Sequence, residues 1–322
     1  MNRKLRAAVA ALALMILLPL SAEAAQTLVP VGSLIGIQLQ DDTVTVAAFE
    51  ENAPSAAKAA GLKVGDEILQ IDQIPIRCTE DVRAALLASE GAIEMTVRRG
   101  SKTDCFRFTP DLGDRGPKLG VYLRQGISGI GTVTYFDPET GTFGTLGHGV
   151  NEAKGCLLAM KRGFAHQAQL TSVVKGTCGE PGQLKGTADA ADIFGTVLKN
   201  TPQGVFGTTP HGWDGQAIPV AQFEDVHTGS ATIRSTVTGS GPQDYSVEIL
   251  KIYPQNQSQH RNFLLKVTDP ELLDLTGGIV QGMSGSPIIQ DGKLVGAVTH
   301  VLVNDPTRGY GIFIENMLDA AG

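Results

Sequence analysis

The chain has 322 residues, about two domains' worth of polypeptide. Its 26 Lys and Arg against 33 Asp and Glu leave a net charge of −7, which speaks against a general nucleic-acid binder, since neutralising phosphates needs an excess of basic side chains. With 42% hydrophobic and 18% charged residues there is apolar material for a core and too little charge for disorder, and the 39 glycines point to short strands joined by tight turns, so collagen, coiled coil and polytopic membrane protein are excluded.

Residues 1–25 read as an address. Arg3, Lys4 and Arg6 form a positive start, Ala7 to Leu20 is uncharged and apolar, and Ala22-Glu23-Ala24 supplies small residues for a signal peptidase. The apolar stretch is short against the roughly 20 residues of a spanning helix. An uncleaved N-terminal anchor is the alternative, and either way the remainder is expected to be exported. No later run of 18 uncharged apolar residues follows, so the exported part is expected to be soluble. Cys78, Cys105, Cys156 and Cys178 allow three full pairings. Proximity favours Cys78 with Cys105 and Cys156 with Cys178, with free thiols equally open. No CxxC or Cys/His spacing of a zinc site is present, so neither metal nor cofactor is expected.

Residues 31–110 form a compact mixed module. Thr43 to Phe49 is a β-rich run, and Pro54 to Ala60 a short helix with proline at its start and Gly61 at its end. Val64 to Asp72 is a turn feeding a strand, Glu80 to Ala88 a helix with Val82, Ala85 and Leu86 on one face, and Ala92 to Val97 a closing strand. The text "APSAAKAAGLKVGDEILQIDQIPI" resembles a PDZ domain. In that family a glycine-containing loop offers backbone N–H groups to a peptide carboxylate, and the peptide adds an edge strand. The matching loop is Ser33-Leu34-Ile35-Gly36-Ile37, which would capture a peptide end unless these residues merely pack the module.

The polar, turn-rich residues 111–118 read as a linker, and 119–322 as a second, strand-dominated domain. Thr132 to Phe136, the turn Asp137 to Gly141, and Thr142 to Leu146 predict a hairpin. Ser246 to Tyr253 and Asn262 to Thr268 are further strands, and Glu315 to Ala321 a short terminal helix. Many antiparallel strands over this length predict a pair of barrels.

The sharpest local feature is Gly282-Met283-Ser284-Gly285-Ser286-Pro287. A nucleophilic serine needs an exposed hydroxyl on a tight turn with N–H groups converging on an oxyanion, and flanking glycines permit that turn. The hairpin that follows, Ile288 to Val298 around Asp291-Gly292, is like the one after the nucleophile of chymotrypsin-like proteases. Among six histidines, His148 ends a strand between small residues and precedes the serine in the chain, with His300 as its rival. For an orienting acid, alternation along Asn262–Asp269 puts Phe263, Leu265, Val267 and Asp269 on one face. Asp269 serves equally well as a cap for the turn that begins at Pro270.

"GTLGHGV", "KVTDPELL" and "GIVQGMSGSPIIQDGKLVGAVTHVLVNDPTRGYGIFIENML" together resemble the stage IV sporulation protein B peptidase family, exported serine proteases of endospore-forming bacteria. The resemblance implies a mainly β fold: a chymotrypsin-like double β-barrel preceded by a small α+β PDZ domain. It implies a catalytic triad of His148, Asp269 and Ser284, with the N–H groups of Gly282 and Ser284 as oxyanion hole. It further implies self-cleavage of the N-terminal segment and cleavage of a membrane-bound regulator of an intramembrane protease, which would activate a late mother-cell sigma factor. The location implied is the space between mother cell and forespore, with the N-terminus a membrane anchor if it is retained. The rival readings are an envelope quality-control protease, whose PDZ usually follows the protease domain, and a catalytically inactive PDZ scaffold.

Overall fold

A computed structural model describes residues 26–51, 55–152, 155–254 and 261–322; the predicted signal or anchor segment lies outside them. β1 (Thr27–Pro30) and β2 (Leu34–Phe49) come first, followed by α1 (Ala56–Ala59), β3 (Glu67–Ile71), β4 (Ile74–Pro75), α2 (Thr79–Ala88), β5 (Ile93–Arg99) and β6 (Lys102–Phe108). A small hairpin, β7 (Asp111–Gly113) and β8 (Gly116–Lys118), leads into the long β9 (Val121–Asp137). β10 (Thr142–Thr145), β11 (Arg162–Val174), β12 (Gln183–Thr201) and β13 (Gly204–Thr208) follow. After β14 (Ile218–Pro219) come β15 (Gly229–Ser235), β16 (Gln243–Ile252), β17 (Phe263–Val267), α3 (Pro270–Thr276), β18 (Pro287–Gln290), β19 (Lys293–Leu302), β20 (Asp305–Phe313) and α4 (Ile314–Ala321).

Two barrels result, as a mainly β chymotrypsin-like fold requires. The second is closed in the order β15-β16-β17-β20-β19-β18. Its strands alternate cleanly: β17 reads buried, half-buried, buried, and Phe263, Leu265 and Val267 meet Ile233, Val247 and Ile288 in one core. The first barrel closes because β2 pairs with both β11 and β9, completing the circuit β9-β10-β13-β12-β11-β2. Val133, Phe143, Ala165 and Val205 fill it. Leu28, Tyr135, Leu294 and Ile312 pack with Met317 of α4 in a further cluster drawn from both halves.

The PDZ unit sits inside the first barrel's sequence, and the predicted boundaries change accordingly. β2 is one 16-residue strand with a register break between Leu39 and Val44. Its first part belongs to the barrel; its second part, Val44 to Phe49, pairs with β3 and with Val121–Gln125 of β9. Val44, Val46, Ile68, Met95 and Val97 share the PDZ core with Val82 and Leu86 of α2. The unit therefore does not begin at residue 31, and its sheet takes in the start of β9, beyond residue 110. Residues 111–118, expected as a linker, form the β7–β8 hairpin lying against α2.

The predicted hairpin over 132–146, the strands near 246–253 and 262–268, and the terminal helix all appear, each within a few residues. The four cysteines are free thiols, so neither disulfide favoured by proximity is present.

Candidate active site

Ser284 sits on a loop whose shape requires glycine. Gly282 and Gly285 both have φ of +97°, and a Cβ on Gly285 would lie 1.9 Å from the Thr132 carbonyl oxygen. β9 clasps this loop from the first barrel. Thr132 N–H donates to the Ser284 carbonyl at 3.0 Å, Thr132 Oγ1 to the Gly282 carbonyl at 2.7 Å, and Thr134 Oγ1 to the Gly285 carbonyl at 2.8 Å. From the second barrel's side, Gly285 N–H donates to Val298. Among the described residues the N–H groups of Gly282 and Ser284 make no hydrogen bond within the protein, which leaves them available as an oxyanion hole must be. Ser284 Oγ donates to the Thr299 carbonyl at 2.8 Å. Ser286, the neighbouring hydroxyl, is fully buried and bonded to Ser235, so it is no candidate nucleophile.

His148 follows β10 after two residues of positive φ, Leu146 at 70° and Gly147 at 65°, which turn the chain out of the strand. A side chain on Gly147 would come within 2.9 Å of Thr299 Cγ2. His148 Nδ1 donates to the Gly149 carbonyl at 3.0 Å. That bond puts the proton of the neutral ring on Nδ1 and leaves the Nε2 lone pair to accept one. Burial pushes the His148 pKa below the ordinary imidazole value, partly offset by the Gly149 carbonyl.

His148, Gly282 and Ser284 line one cleft of about 350 Å³, walled mainly by apolar groups such as Ile37, Ile127, Ile130 and Leu146. Such a cleft can hold an extended apolar peptide. Among the described residues there is no cluster of His, Cys, Asp and Glu that could hold a metal ion.

The structure does not bring Asp269 to this cleft. β17 ends at Val267, so the alternation that placed Asp269 inward stops two residues short of it. Asp269 instead caps α3: Oδ1 accepts from the N–H groups of Glu271 and Leu272, both at 3.0 Å, and Oδ2 from Ser246 N–H at 3.1 Å. Pro270 at the first helical position completes a common helix start. The group beside His148 is the rival histidine. The His300 ring lies with its centroid 5.3 Å from that of His148, tilted by 44°.

The predicted carboxylate loop is likewise elsewhere. Leu34 to Ile37 are in the barrel part of β2, where Ile35, Gly36 and Ile37 pair with Gln167, His166 and Ala165 on one side and with Gly131, Ile130 and Gly129 on the other. With both edges in the ladder, Ile35 to Ile37 have no free strand edge to offer a peptide end, and Ile37 lines the Ser284 cleft instead. Within the PDZ unit the strand beside α2 is the start of β9, Val121–Gln125, whose ladder partner there, among the described residues, is β2 alone. Gln125 ties it to α2, accepting from Thr79 N–H and donating to the Arg77 carbonyl. It is entered through Lys118-Leu119-Gly120, with Gly120 at φ +65°. The signal for this edge was present in the sequence as a second short apolar run around a glycine.

Comparison with known proteins matches residues 116–318 to the family described as SpoIVB peptidase S55, and residues 51–99 to a PDZ domain. A search of curated proteins gives no match. Among solved structures, the active form of the Rv3671c protease from M. tuberculosis is similar at 16% identity, over 61% of this chain and 75% of that one, with a TM-score of 0.37. Its inactive form is similar at 14% identity, over 59% and 82%, with a TM-score of 0.35. The HtrA-type protease AlgW with a decapeptide gives 11% identity over 65% of this chain and 57% of that one, with a TM-score of 0.38.

Proposed function

Because the chain belongs to the SpoIVB peptidase family of serine endopeptidases, we propose that Ser284 is its nucleophile and His148 its general base. The observation that carries this reading is the shared cleft: hydroxyl, imidazole and two uncommitted N–H donors border one apolar channel. Rotation of the Ser284 side chain away from the Thr299 carbonyl turns its hydroxyl toward His148. As Oγ attacks the scissile carbonyl carbon, its proton passes to His148 Nε2, and the N–H groups of Gly282 and Ser284 take the oxyanion. Each such donor is worth about 3–4 kcal/mol. His148 then returns the proton to the leaving amine, and water hydrolyses the acyl-enzyme by the same steps.

The finer reading is a sporulation-signalling protease, exported to the space between mother cell and forespore, with its N-terminal segment as signal or anchor. It cleaves its own N-terminal segment and a membrane-bound regulator of an intramembrane protease. Family membership and the apolar, positively flanked start of the chain support it. The PDZ unit captures a peptide end on the Val121–Gln125 edge beside α2, where the peptide extends the sheet.

Mass spectrometry of the purified chain beside its Ser284→Ala variant, each with and without a fluorophosphonate probe, tests both levels. Probe on Ser284 and an N-terminal cut absent from the variant are expected. A folded chain that takes no probe is an inactive scaffold, and a probe-reactive chain with identical N-termini in both samples removes self-cleavage.

A further inference from the structure

In a trans peptide the C=O and N–H point in opposite directions, so a bond that holds the carbonyl also aims the N–H. The two oxyanion donors differ in what holds their carbonyls. For Ser284 N–H the carbonyl is that of Met283, and the loop holds it from within: Ser286 N–H donates to it at 2.9 Å. For Gly282 N–H the carbonyl is that of Gln281, and its donor comes from far along the chain, Leu184 N–H of β12 at 2.8 Å. Gln281 N–H in turn donates to the Gly182 carbonyl at 2.9 Å, so Gln183 and Gln281 form a short parallel bridge.

Leu184 belongs to an arm. Beyond Gln167, which pairs with Ile35 of β2, β11 has among the described residues no ladder partner but β12. The two strands run on together from the first barrel to the second, where Leu170, Val173 and Leu184 pack into the core, Leu184 at 2% exposure. At the tip, Gly176 N–H donates to the Thr276 carbonyl at 2.8 Å and Gly179 N–H to that of Val303 at 2.9 Å. The arm therefore lies along residues 276–282, the segment that leads from α3 to the nucleophile. Leu184 also closes on Gly282, where a Cβ would fall 3.0 Å from its own. Glycine puts up little resistance to a half-turn of the 281–282 peptide plane. That half-turn would break the Leu184 bond, so the arm opposes it.

We propose that the β11–β12 arm completes the oxyanion hole, with Leu184 as the positioning residue whose N–H, by holding the Gln281 carbonyl, aims Gly282 N–H at the oxyanion; this rests on the reading of Ser284 and His148 above. The hole is half made by the catalytic loop and half by the arm. With the arm lifted the loop keeps one working donor; with the arm seated on the second barrel it has two.

The test is the rate at which a fluorophosphonate probe labels Ser284 in the full chain from about pH 5 to pH 9, together with phosphorus NMR of the labelled protein. Leu184→Pro removes the N–H, and the ring carbon in its place pushes the Gln281 oxygen away. That N–H faces Gln281 and not Val173, its neighbour across the hairpin, so the pairing of β11 with β12 survives. Leu184→Ala keeps the N–H and controls for lost packing. Leu184→Pro is expected to label about 100-fold more slowly than Leu184→Ala, the cost of one oxyanion donor, with the acid limb set by His148 unmoved. Its phosphorus resonance is expected to move toward the position it takes in the unfolded labelled chain, since the phosphonyl oxygen loses an N–H. A folded Leu184→Pro that labels within threefold of Leu184→Ala overturns the proposal. So does a slower Leu184→Pro with an unmoved resonance or a shifted acid limb, which marks a general disturbance of the cleft. If Leu184→Pro does not fold, leucic acid placed at position 184, an ester with the leucine side chain and no N–H, decides by the same rate and resonance. Absence of labelling in the wild type would instead sink the Ser284 assignment itself.

Discussion

Replacing Asp269 by asparagine removes a negative charge and keeps one acceptor oxygen in place. In the structure Oδ1 serves two N–H groups at the start of α3 and Oδ2 serves Ser246 N–H. Asparagine caps helices about as well as aspartate, so its carbonyl oxygen can hold Glu271 and Leu272. Its amide then meets Ser246 donor to donor, which costs about 1 kcal/mol for the lost bond. For a domain of this size that lowers Tm by roughly 2–4 °C. Alanine forfeits all three bonds and costs about 2–3 kcal/mol, the cap and one further bond together. Were Asp269 the orienting acid of a triad, asparagine would favour the wrong tautomer of His148 and cost about 10⁴ in rate. Fluorophosphonate labelling and thermal melting of the two variants separate these outcomes. Asp269→Asn is expected to label within a few-fold of wild type while melting slightly earlier. A well-folded Asp269→Asn protein that loses about 10³ or more in rate would refute the capping assignment.

Ser284→Ala is expected to abolish labelling and proteolysis with an unchanged melting curve, since its hydroxyl makes one bond, to a carbonyl that water can satisfy. Gly285→Ala is expected to destabilise by more than about 2 kcal/mol and to abolish labelling, because φ is +97° and the new Cβ drives into the Thr132 carbonyl that holds the loop. Melting and labelling measured together check it, and a fully active variant would contradict it. The depressed His148 pKa means that the base stays neutral to lower pH, so the acid limb of the rate profile is expected below the ordinary imidazole value of about 6.5. A limb at higher pH would contradict the burial argument. In the PDZ unit Asp66 is fully buried against Arg99, with Nη2 to Oδ2 at 2.6 Å. Burial works to raise the Asp66 pKa, but the hydrogen bonds from Arg99 and Lys63 outweigh it and the net direction is down. Its stabilisation is therefore present above the unfolded carboxylate pKa of about 3.9 and fades as pH falls through the lower folded value. Arg99→Ala, which strands that carboxylate, is expected to cost about 2–3 kcal/mol, less than a fully buried pair because Arg99 is partly exposed; denaturant melts at neutral pH measure it.

Much of the fold could be read from local pattern. Turn residues such as Asp137-Pro138 and Asp291-Gly292 delimit hairpins, and the doubled glycines around Ser284 mark a strained turn. What local pattern could not convey is pairing at long range. Leu34 to Ile37 look like a PDZ loop because a glycine sits among aliphatic residues. Their partners at 165–167 lie more than a hundred residues away, and those bonds decide the matter. β2 carries no proline or turn dipeptide within 34–40 to show that its two parts serve different units. Asp269 had two local readings, and the Asp-Pro helix start prevailed over an alternation that ends at Val267. His300 stood in the sequence as one histidine among six, and its place beside His148 arises only when β19 packs against the loop after β10.

The point where the peptide-binding unit interrupts the barrel is narrow. Leu39 pairs with Ile127, and a Cβ on Gly126 would fall 1.8 Å from the Leu39 oxygen, so the outgoing and returning chain touch there. Ends that close can be bridged by a two-residue turn. The unit is therefore a removable cassette: evolution or an engineer can swap it for another recognition module, or delete it, while every strand of the catalytic half keeps its neighbours. The same ribbon is also a tether of fixed length, which sets how far the PDZ unit stands from the Ser284 cleft.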